Sequence, residues 1–355
     1  MSAREQLLQA SRPSFEVEGT ANAPLADGLL GLLIVETTEG LYRCEATFGN
    51  WGPRNGQTGF LYFDRRDLDF GFKFKVKLQD TVLFQGRITG LEARFGEGSA
   101  PELTVLAEDA LQDFRMTRRT RTLEELTDAD LVRRLASDHG LQAQVQLDGP
   151  THPVLAQVNQ SDLAWLRDRV RAVGGELWVE DRTLHARRRD SRNGTPIALT
   201  YGRQLREFRV LADLAGQRTS VIASGWEVSS KSAVREEAQA SVLGSEVSGG
   251  ESGPALLEAK FGARKESLVH GTPAQSQEAR ALAESYFKTL ARRFLTGRGV
   301  AEPTPGLRVG ASVDLTGLGP LFSGRYFVAE VRHCFDGKLG LRTEVHVERP
   351  WLGRP

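Results

Sequence analysis

Cysteine is almost absent from this sequence, which has only Cys44 and Cys334 among its 355 residues. The two lie far apart and neither has metal-ligand spacing, so we expect two buried apolar side chains in a reducing compartment. No run approaches the roughly 20 apolar residues that span a membrane, and the first residues lack the apolar core of a signal peptide. We therefore expect synthesis and assembly in the cytoplasm, without membrane insertion.

An excess of charge of one sign is also missing. The 46 basic residues balance the 46 acidic residues, so no overall field recruits nucleic acid or an anionic membrane. Two clusters, Arg118–Arg121 and Arg187–Arg189, still raise a nucleic-acid hypothesis. This hypothesis predicts an affinity for nucleic acid that falls steeply as the salt concentration rises. An affinity that does not change with salt would contradict it. The clusters lack interleaved aromatic residues, which favours a rim or interface role.

Catalytic motifs are missing as well. The sequence has no P-loop, no G-x-S-x-G elbow and no Rossmann glycine pattern, and its six histidines show neither H-E-x-x-H nor zinc spacing. His333 and His346 are predicted on opposite strands of the last hairpin, where satisfied or exposed histidines are commoner than metal ligands. We predict no catalytic residue, no cofactor and no bound metal.

An enzyme remains the alternative hypothesis, because a wall-degrading carboxylate pair follows no spacing rule in sequence. Acidic pairs such as Glu124/Glu125 and Glu236/Glu237 are unassigned. A cleared band on a peptidoglycan gel, abolished by one carboxylate substitution, would support the enzyme hypothesis.

A pentapeptide that occurs twice is the most informative feature present. Leu83–Arg87 reads LFQGR, and Leu321–Arg325 reads LFSGR. Each copy is preceded by an apolar-alternating strand and followed by a second strand, a turn and a third strand. The glycine of each copy is typical of a bulge or a sharp bend at a barrel corner. The matching flanks indicate an internal duplication of a small antiparallel β unit.

The rest of the sequence predicts a mainly β (α+β) fold, in which two antiparallel β-barrels are separated by a small α/β insert. Thr127 and Ser161 are predicted N-caps of two helices in the insert. The segments 49–59 and 229–275 are predicted to be loops. The predicted domains are a first barrel at 1–114, an insert at 115–195 and a second barrel at 196–355 with a helix at about 276–295, capped by Ser276.

Motifs in three parts of the chain resemble the late-control protein D family of contractile phage tails, the baseplate hub proteins. The same architecture occurs in hubs of extracellular contractile injection systems and in the N-terminal part of type VI secretion spike proteins. The motifs that carry the likeness are Asn159–Arg167 with Gly174–Asp181, Val221–Trp226 with Lys231, and Ser276–Ala283, Gly306–Gly310, Gly317–Gly319 and Gly324–His333. Trp165 stands where the family usually has Phe, and the likeness covers about residues 30–350.

The resemblance implies a structural protein: a homotrimeric hub in which each chain supplies two tail-tube-like barrels. Six barrels would match the hexameric inner tube on one side, and the trimeric central spike would sit on the other side. Other baseplate components would contact the insert. The particle would be a phage tail or an extracellular injection particle, and we expect the spike and any wall hydrolase to be separate polypeptides.

The candidate residues of the repeat are expected to determine the fold and not to bind a ligand. They are Leu83, Phe84, Gly86, Arg87, Leu321, Phe322, Gly324 and Arg325. No interface residue follows from the sequence.

Overall fold

Strands account for most of the secondary structure in the computed structural model, which describes residues 12–54, 56–192, 194–228, 230–269 and 273–354. The strands are β1 Ser14–Val17, β2 Thr20–Ala21, β3 Leu29–Thr37, β4 Arg43–Gly49, β5 Trp51–Arg54, β6 Gln57–Phe60, β7 Lys73–Leu78, β8 Thr81–Arg94, β9 Glu102–Glu108, β10 Arg118–Leu126, β11 Gln142–Gln146, β12 His152–Ser161, β13 Gly175–Glu180, β14 Thr183–Arg188, β15 Ile197–Thr200, β16 Leu205–Ala212, β17 Ser220–Glu227, β18 Ser232–Gln239, β19 Gly250–Ser252, β20 Lys265–Leu268, β21 Leu295–Ala301, β22 Ser312–Thr316, β23 Gly324–Asp336, β24 Gly340–Arg349 and β25 Trp351–Gly353. The α-helices are α1 Ala23–Gly28, α2 Leu111–Arg115, α3 Asp128–Asp138, α4 Asp162–Ala172, α5 Gly253–Phe261, α6 Ser276–Arg292 and α7 Gly319–Phe322, and short 3-10 helices occupy Arg189–Ser191 and Ala240–Glu246.

The chain divides into two discontinuous units. The first contains the described residues up to Gln112 together with Val300–Val309 and Glu330–Val345. The second contains Asp113–Gly299, Gly310–Ala329 and the residues from His346 onward. The long strands β23 and β24 therefore contribute residues to both units. The three domains predicted from the sequence follow the repeated β units. The two compact units do not test that division, so it stays a prediction.

The first unit is built on one antiparallel sheet with the strand order β24-β23-β3-β4-β9-β8-β7-β1-β2. Alternation places one face of each strand in the core, as in β9, where Leu103, Val105 and Ala107 are buried. The ring of Phe15 packs against those of Phe48 and Phe74, at centroid distances of 5.2 and 5.6 Å. The three aromatic rings lie at the centre of this core.

The second unit contains an α/β module between Arg118 and Arg188. Strands β10 and β12 form a two-stranded ribbon, and β11, β14 and β13 form a three-stranded sheet. Helices α3 and α4 begin as predicted, because Thr127 and Ser161 accept hydrogen bonds from the backbone N–H groups of Asp130 and Ala164.

The rest of the second unit is again mainly β. Strands β16, β21, β24, β23, β22 and β15 are neighbours in that order, and a separate sheet has the order β18-β17-β20. Helix α6 packs on this sheet, with Ala279, Ala283 and Phe287 in the same buried cluster as Val221 and Val234. Among the described residues, no strand pairing closes a sheet into a barrel.

The structure corrects several predicted elements. The segment 49–59 is not a loop, since it holds the hairpin β5–β6. The segment 229–275 is not irregular either, since its described part contains β18, β19, α5 and β20. Helix α6 ends at Arg292 instead of about 295, and Ser276 is its first residue, with Gln275 at the N-cap.

Both cysteines are buried, as the sequence predicts. Burial raises the pKa of the Cys44 thiol well above its usual range and that of Cys334 to about 11. No helix in the described ranges is long and apolar enough to cross a membrane.

Candidate functional site

The first copy of the repeat lies within β8. The pairing of β7 with β8 shifts between Val76 and Lys77, so Leu83 is an extra residue, and both Leu83 and Phe84 are buried. A Cβ atom on Gly86 would lie 2.1 Å from the carbonyl oxygen of Glu108 on β9. The absence of a side chain at Gly86 therefore allows β8 and β9 to approach each other. Arg87 is exposed.

The second copy has a different local structure. Leu321 and Phe322 end the short helix α7, Gly324 begins β23 with a φ of 127°, and exposed Arg325 forms an ion pair with Asp314 at 3.0 Å. The strands β22, β23 and β24 that surround it still succeed one another as neighbours, like β7, β8 and β9. The repeat therefore preserves the order of three strands but not the geometry of the turn.

Arg349 organises the second corner. Its side chain is 2% exposed and donates hydrogen bonds to the carbonyl oxygens of Leu321 and Ser323, at 2.6 and 3.0 Å. Tyr326 donates to the carbonyl oxygen between them, that of Phe322, at 2.7 Å. Three consecutive carbonyl groups at the C-terminal end of α7 are thus satisfied by side chains.

No described carboxylate is paired with Arg349, and burial lowers the pKa of its guanidinium. The group lies against two aromatic rings instead, with Cζ 4.4 Å from the ring centre of Tyr326 and 4.0 Å from that of Trp351. A Cβ on Gly324 would lie 2.9 Å from its Nη1 atom. The glycine of the repeat leaves room for this cation.

The arginine cluster at 118–121 is paired within the fold. Arg121 donates to Asp162 at 2.9 Å and to Gln157 at 2.8 Å, and Arg119 lies 3.7 Å from the same Asp162. Arg118 donates to the carbonyl oxygen of Asn159. These contacts hold the β10–β12 ribbon and do not form a groove of free cations for a phosphate backbone.

In the arginine cluster at 187–189, Arg189 is paired in the same way. Arg189 donates to Glu176 at 2.9 Å and also to Glu348, and its Cζ lies 3.9 Å from the ring centre of Phe327. Burial opposes the charge of Arg189, but Glu348 and Glu176 outweigh it and raise its pKa. Arg192 donates to the second oxygen of Glu176 at 2.6 Å. The resulting network joins the α/β module to β23 and β24.

A cavity of about 320 Å³ in the second unit brings four ionisable side chains together, Asp128, His152, Arg169 and Glu278. Arg169 binds the carboxylate of Asp128 with two donors, at 2.7 and 3.1 Å. Nε2 of His152 lies 2.8 Å from Nη2 of Arg169. The same Nε2 lies 3.2 Å from Oδ2 of Asp128, so it can either donate to the carboxylate or accept from the guanidinium. Glu278 stands at the rim, 3.9 Å from Arg169 and 4.0 Å from His152.

The lining of the cavity lacks the common nucleophilic side chains. Its lining contains no Ser, Thr, Cys, Tyr or Lys side chain. Burial favours the neutral form of Asp128, but hydrogen bonds from His152 and Arg169 outweigh it and keep the pKa of Asp128 below its usual value. In a glycosidase one carboxylic acid has a raised pKa, whereas the pKa of Asp128 is shifted in the opposite direction.

Three further histidines make contacts within the fold. His139 lies 2.9 Å from Asp162 and stacks on Phe114, and His185 stacks on Trp178. His333 is buried beside Thr343, with Nδ1 3.2 Å from the hydroxyl oxygen. In the described ranges no three His, Cys, Asp or Glu residues come together as a possible metal site.

The fold is that of phage tail proteins. A 43 kDa tail protein of prophage MuSo2 from Shewanella oneidensis superposes with a TM-score of 0.73 at 11% identity, over 96% of this chain and 98% of that one. A tail protein from Neisseria meningitidis gives a TM-score of 0.67 at 14% identity, over 96% and 98%. The Escherichia coli c3393 protein gives 0.58 at 12% identity, over 92% and 76%; it is a type VI secretion component with structural similarity to the phage T4 tail proteins gp27 and gp5.

The sequence also places the chain in a family. The family model of the Alg8 N-terminal domain matches residues 68–336, and the chain belongs to this family. No curated protein matches the chain.

The residues that organise these sites could not be predicted from the sequence. Arg349 lies outside the repeat, and Glu348 is 159 residues from its partner Arg189. The one local signal was the glycine of the second repeat. A glycine indicates that another group lies close to the backbone, but it does not identify that group.

Proposed function

We propose that this chain is the structural baseplate hub of a contractile phage-tail-like injection system. It assembles as a homotrimer and joins the hexameric inner tube to the trimeric central spike. The observation that carries the proposal is the end-to-end likeness to tail proteins, which extends over 96% of this chain and 98% of the Shewanella protein.

The duplicated strand order supports the adaptor role. Each chain carries β7-β8-β9 and β22-β23-β24, and we propose that these belong to two tube-like β units. Three chains then present six similar units to a six-fold tube and remain three-fold toward the spike. The residues of the two repeat corners, which include Phe84, Gly86, Phe322 and Gly324, shape these units and bind no ligand.

The experiment is the mass of the purified protein in solution, alone and mixed with the spike protein encoded beside it. A species of three times the 39.1 kDa of one chain, in either condition, is the expected result. A single-chain mass in both conditions, up to high protein concentration, contradicts the hub assignment.

A further inference from the structure

Four aromatic side chains form an exposed cluster in the first unit. Trp51 and Phe60 are directly opposite each other on the β5–β6 hairpin, with ring centres 5.1 Å apart. Phe63 stacks on Phe60 at 4.7 Å, and Phe95 lies 5.9 Å from Phe63. The four are 48, 42, 37 and 66% exposed, in the order Trp51, Phe60, Phe63 and Phe95. We call them the aromatic cluster.

The cluster is held in place by polar contacts beneath it. The buried side chain of Asn50 accepts hydrogen bonds from the N–H groups of Leu61 and Tyr62, at 3.0 and 2.8 Å. Arg54 on the hairpin donates to the carbonyl oxygen of Leu61 and to Asp64. The rings are therefore presented by a fixed hairpin and loop, which lowers the entropy cost of binding.

The charges around the cluster cancel one another. Arg54 pairs with Asp64 and Asp67, Arg65 with Asp69, and Arg66 with Asp64. Because three arginines of the hairpin and the following loop face three aspartates of that loop, these charges offer no field for a nucleic acid or an anionic membrane. It can meet a neutral protein surface without repulsion between like charges.

The exposed area suits the centre of a protein contact. An aromatic side chain presents about 150–250 Å², so the four partly exposed rings offer on the order of 400 Å². An apolar patch of this size on a soluble protein is usually functional. It is about half of the roughly 800 Å² that each partner contributes to a standard interface, which leaves the rest to the surrounding polar rim.

We infer that the aromatic cluster is the apolar core of the contact between neighbouring copies of this chain. The inference rests on the proposed function, because only an oligomeric hub supplies the second copy. Hairpin β5–β6 pairs with no other strand in the described part of the chain, so its backbone edges remain available to the neighbour. In a three-fold ring each cluster docks on a different surface of the next copy, which is a heterologous contact.

The test compares the assembly of the wild-type chain with that of a Phe60→Ser/Phe95→Ser variant, with and without the spike protein. We expect the variant to need at least ten times the concentration to reach the same trimer fraction by sedimentation velocity. Phe261→Ser is the control, because Phe261 is 59% exposed on α5 in the second unit and should leave assembly unchanged. A thermal unfolding transition like that of the wild type shows that a variant is folded. If the double variant is not folded, the Phe95→Ser single variant replaces it in the test.

The outcomes separate this inference from the hub assignment. A wild-type trimer with an equally stable variant trimer overturns the inference and leaves the hub standing. A variant trimer that no longer captures the inner tube protein assigns the cluster to the tube and also overturns it. A wild-type chain that never forms a trimer contradicts both the inference and the hub assignment. A wild-type dimer that the variant abolishes contradicts the three-fold arrangement.

Discussion

The guanidinium group of Arg349 lies 4.0 Å from the ring centre of Trp351, in a site that is almost fully buried. A buried cation without a paired carboxylate is costly unless its donors are satisfied. Here the carbonyl groups of Leu321 and Ser323 accept from the two Nη atoms and the aromatic faces lie against the group, while Nε has no hydrogen-bond partner among the described residues. The charge thus holds the second repeat corner to the end of β24.

Replacing this cation tests its role in the corner. Arg349→Met keeps the volume and removes the donors, so two partly buried carbonyl groups lose their partner. We expect the free energy of unfolding, measured in urea, to fall by about 1–3 kcal/mol. Arg325→Met is the control, because Arg325 forms an exposed ion pair and should change stability by less than about 0.5 kcal/mol. Equal effects of the two substitutions would contradict the assignment.

The first repeat corner is tested by Gly86→Ala. The added methyl group would meet the carbonyl oxygen of Glu108 at 2.1 Å, and the two strands would have to separate. We expect a loss of about 1–3 kcal/mol in the free energy of unfolding. Gly59→Ala in β6 is the matched control, since a Cβ there meets nothing within 4 Å. If both variants unfold at the same urea concentration, Gly86 is not a determinant of the fold.

Elements with strong local signals could be predicted from the sequence. Helices α3 and α4 begin where a hydroxyl side chain accepts from the third residue along, which is a local interaction. The hairpin β5–β6 could not be predicted, because Gly52, Pro53 and Gly56 are typical of a loop. Its strands are stabilised by the pairing of Trp51 with Phe60, which composition does not reveal.

Elements whose partners are distant in sequence were missed. Strand β20 exists because Lys265–Leu268 pairs in parallel with β17, and no periodicity in four residues predicts that. The candidate sites could not be predicted for the same reason. Arg187–Arg189 has the composition of a phosphate-binding cluster, yet Arg189 is neutralised by a glutamate from the last long strand.

The network around Arg189 is tested by Glu348→Gln. The substitution leaves the buried guanidinium with one carboxylate, Glu176, in place of two. We expect the free energy of unfolding to fall by about 2 kcal/mol or more, because a buried ion pair broken on one side leaves charge uncompensated. Glu330→Gln breaks a partly exposed pair with Arg332 and should cost less than about 1 kcal/mol. A double variant with Arg189→Met should recover part of the loss.

The buried imidazole of His333 predicts a loss of stability in mild acid. Burial and then the charge of Arg308 lower its pKa from 6.5 to about 3. Below pH 6.5 the unfolded chain therefore binds a proton at His333 that the folded chain does not bind. The contribution to stability is complete above pH 6.5 and is lost as the pH falls toward 3, with a slope approaching about 1.4 kcal/mol per pH unit. His333→Gln has no such proton. We expect the stability difference between wild type and His333→Gln, measured in urea at pH 7, 6 and 5, to shift toward the variant by about 1–2 kcal/mol. A difference that is constant with pH would show that His333 is protonated in the folded chain as readily as in the unfolded one.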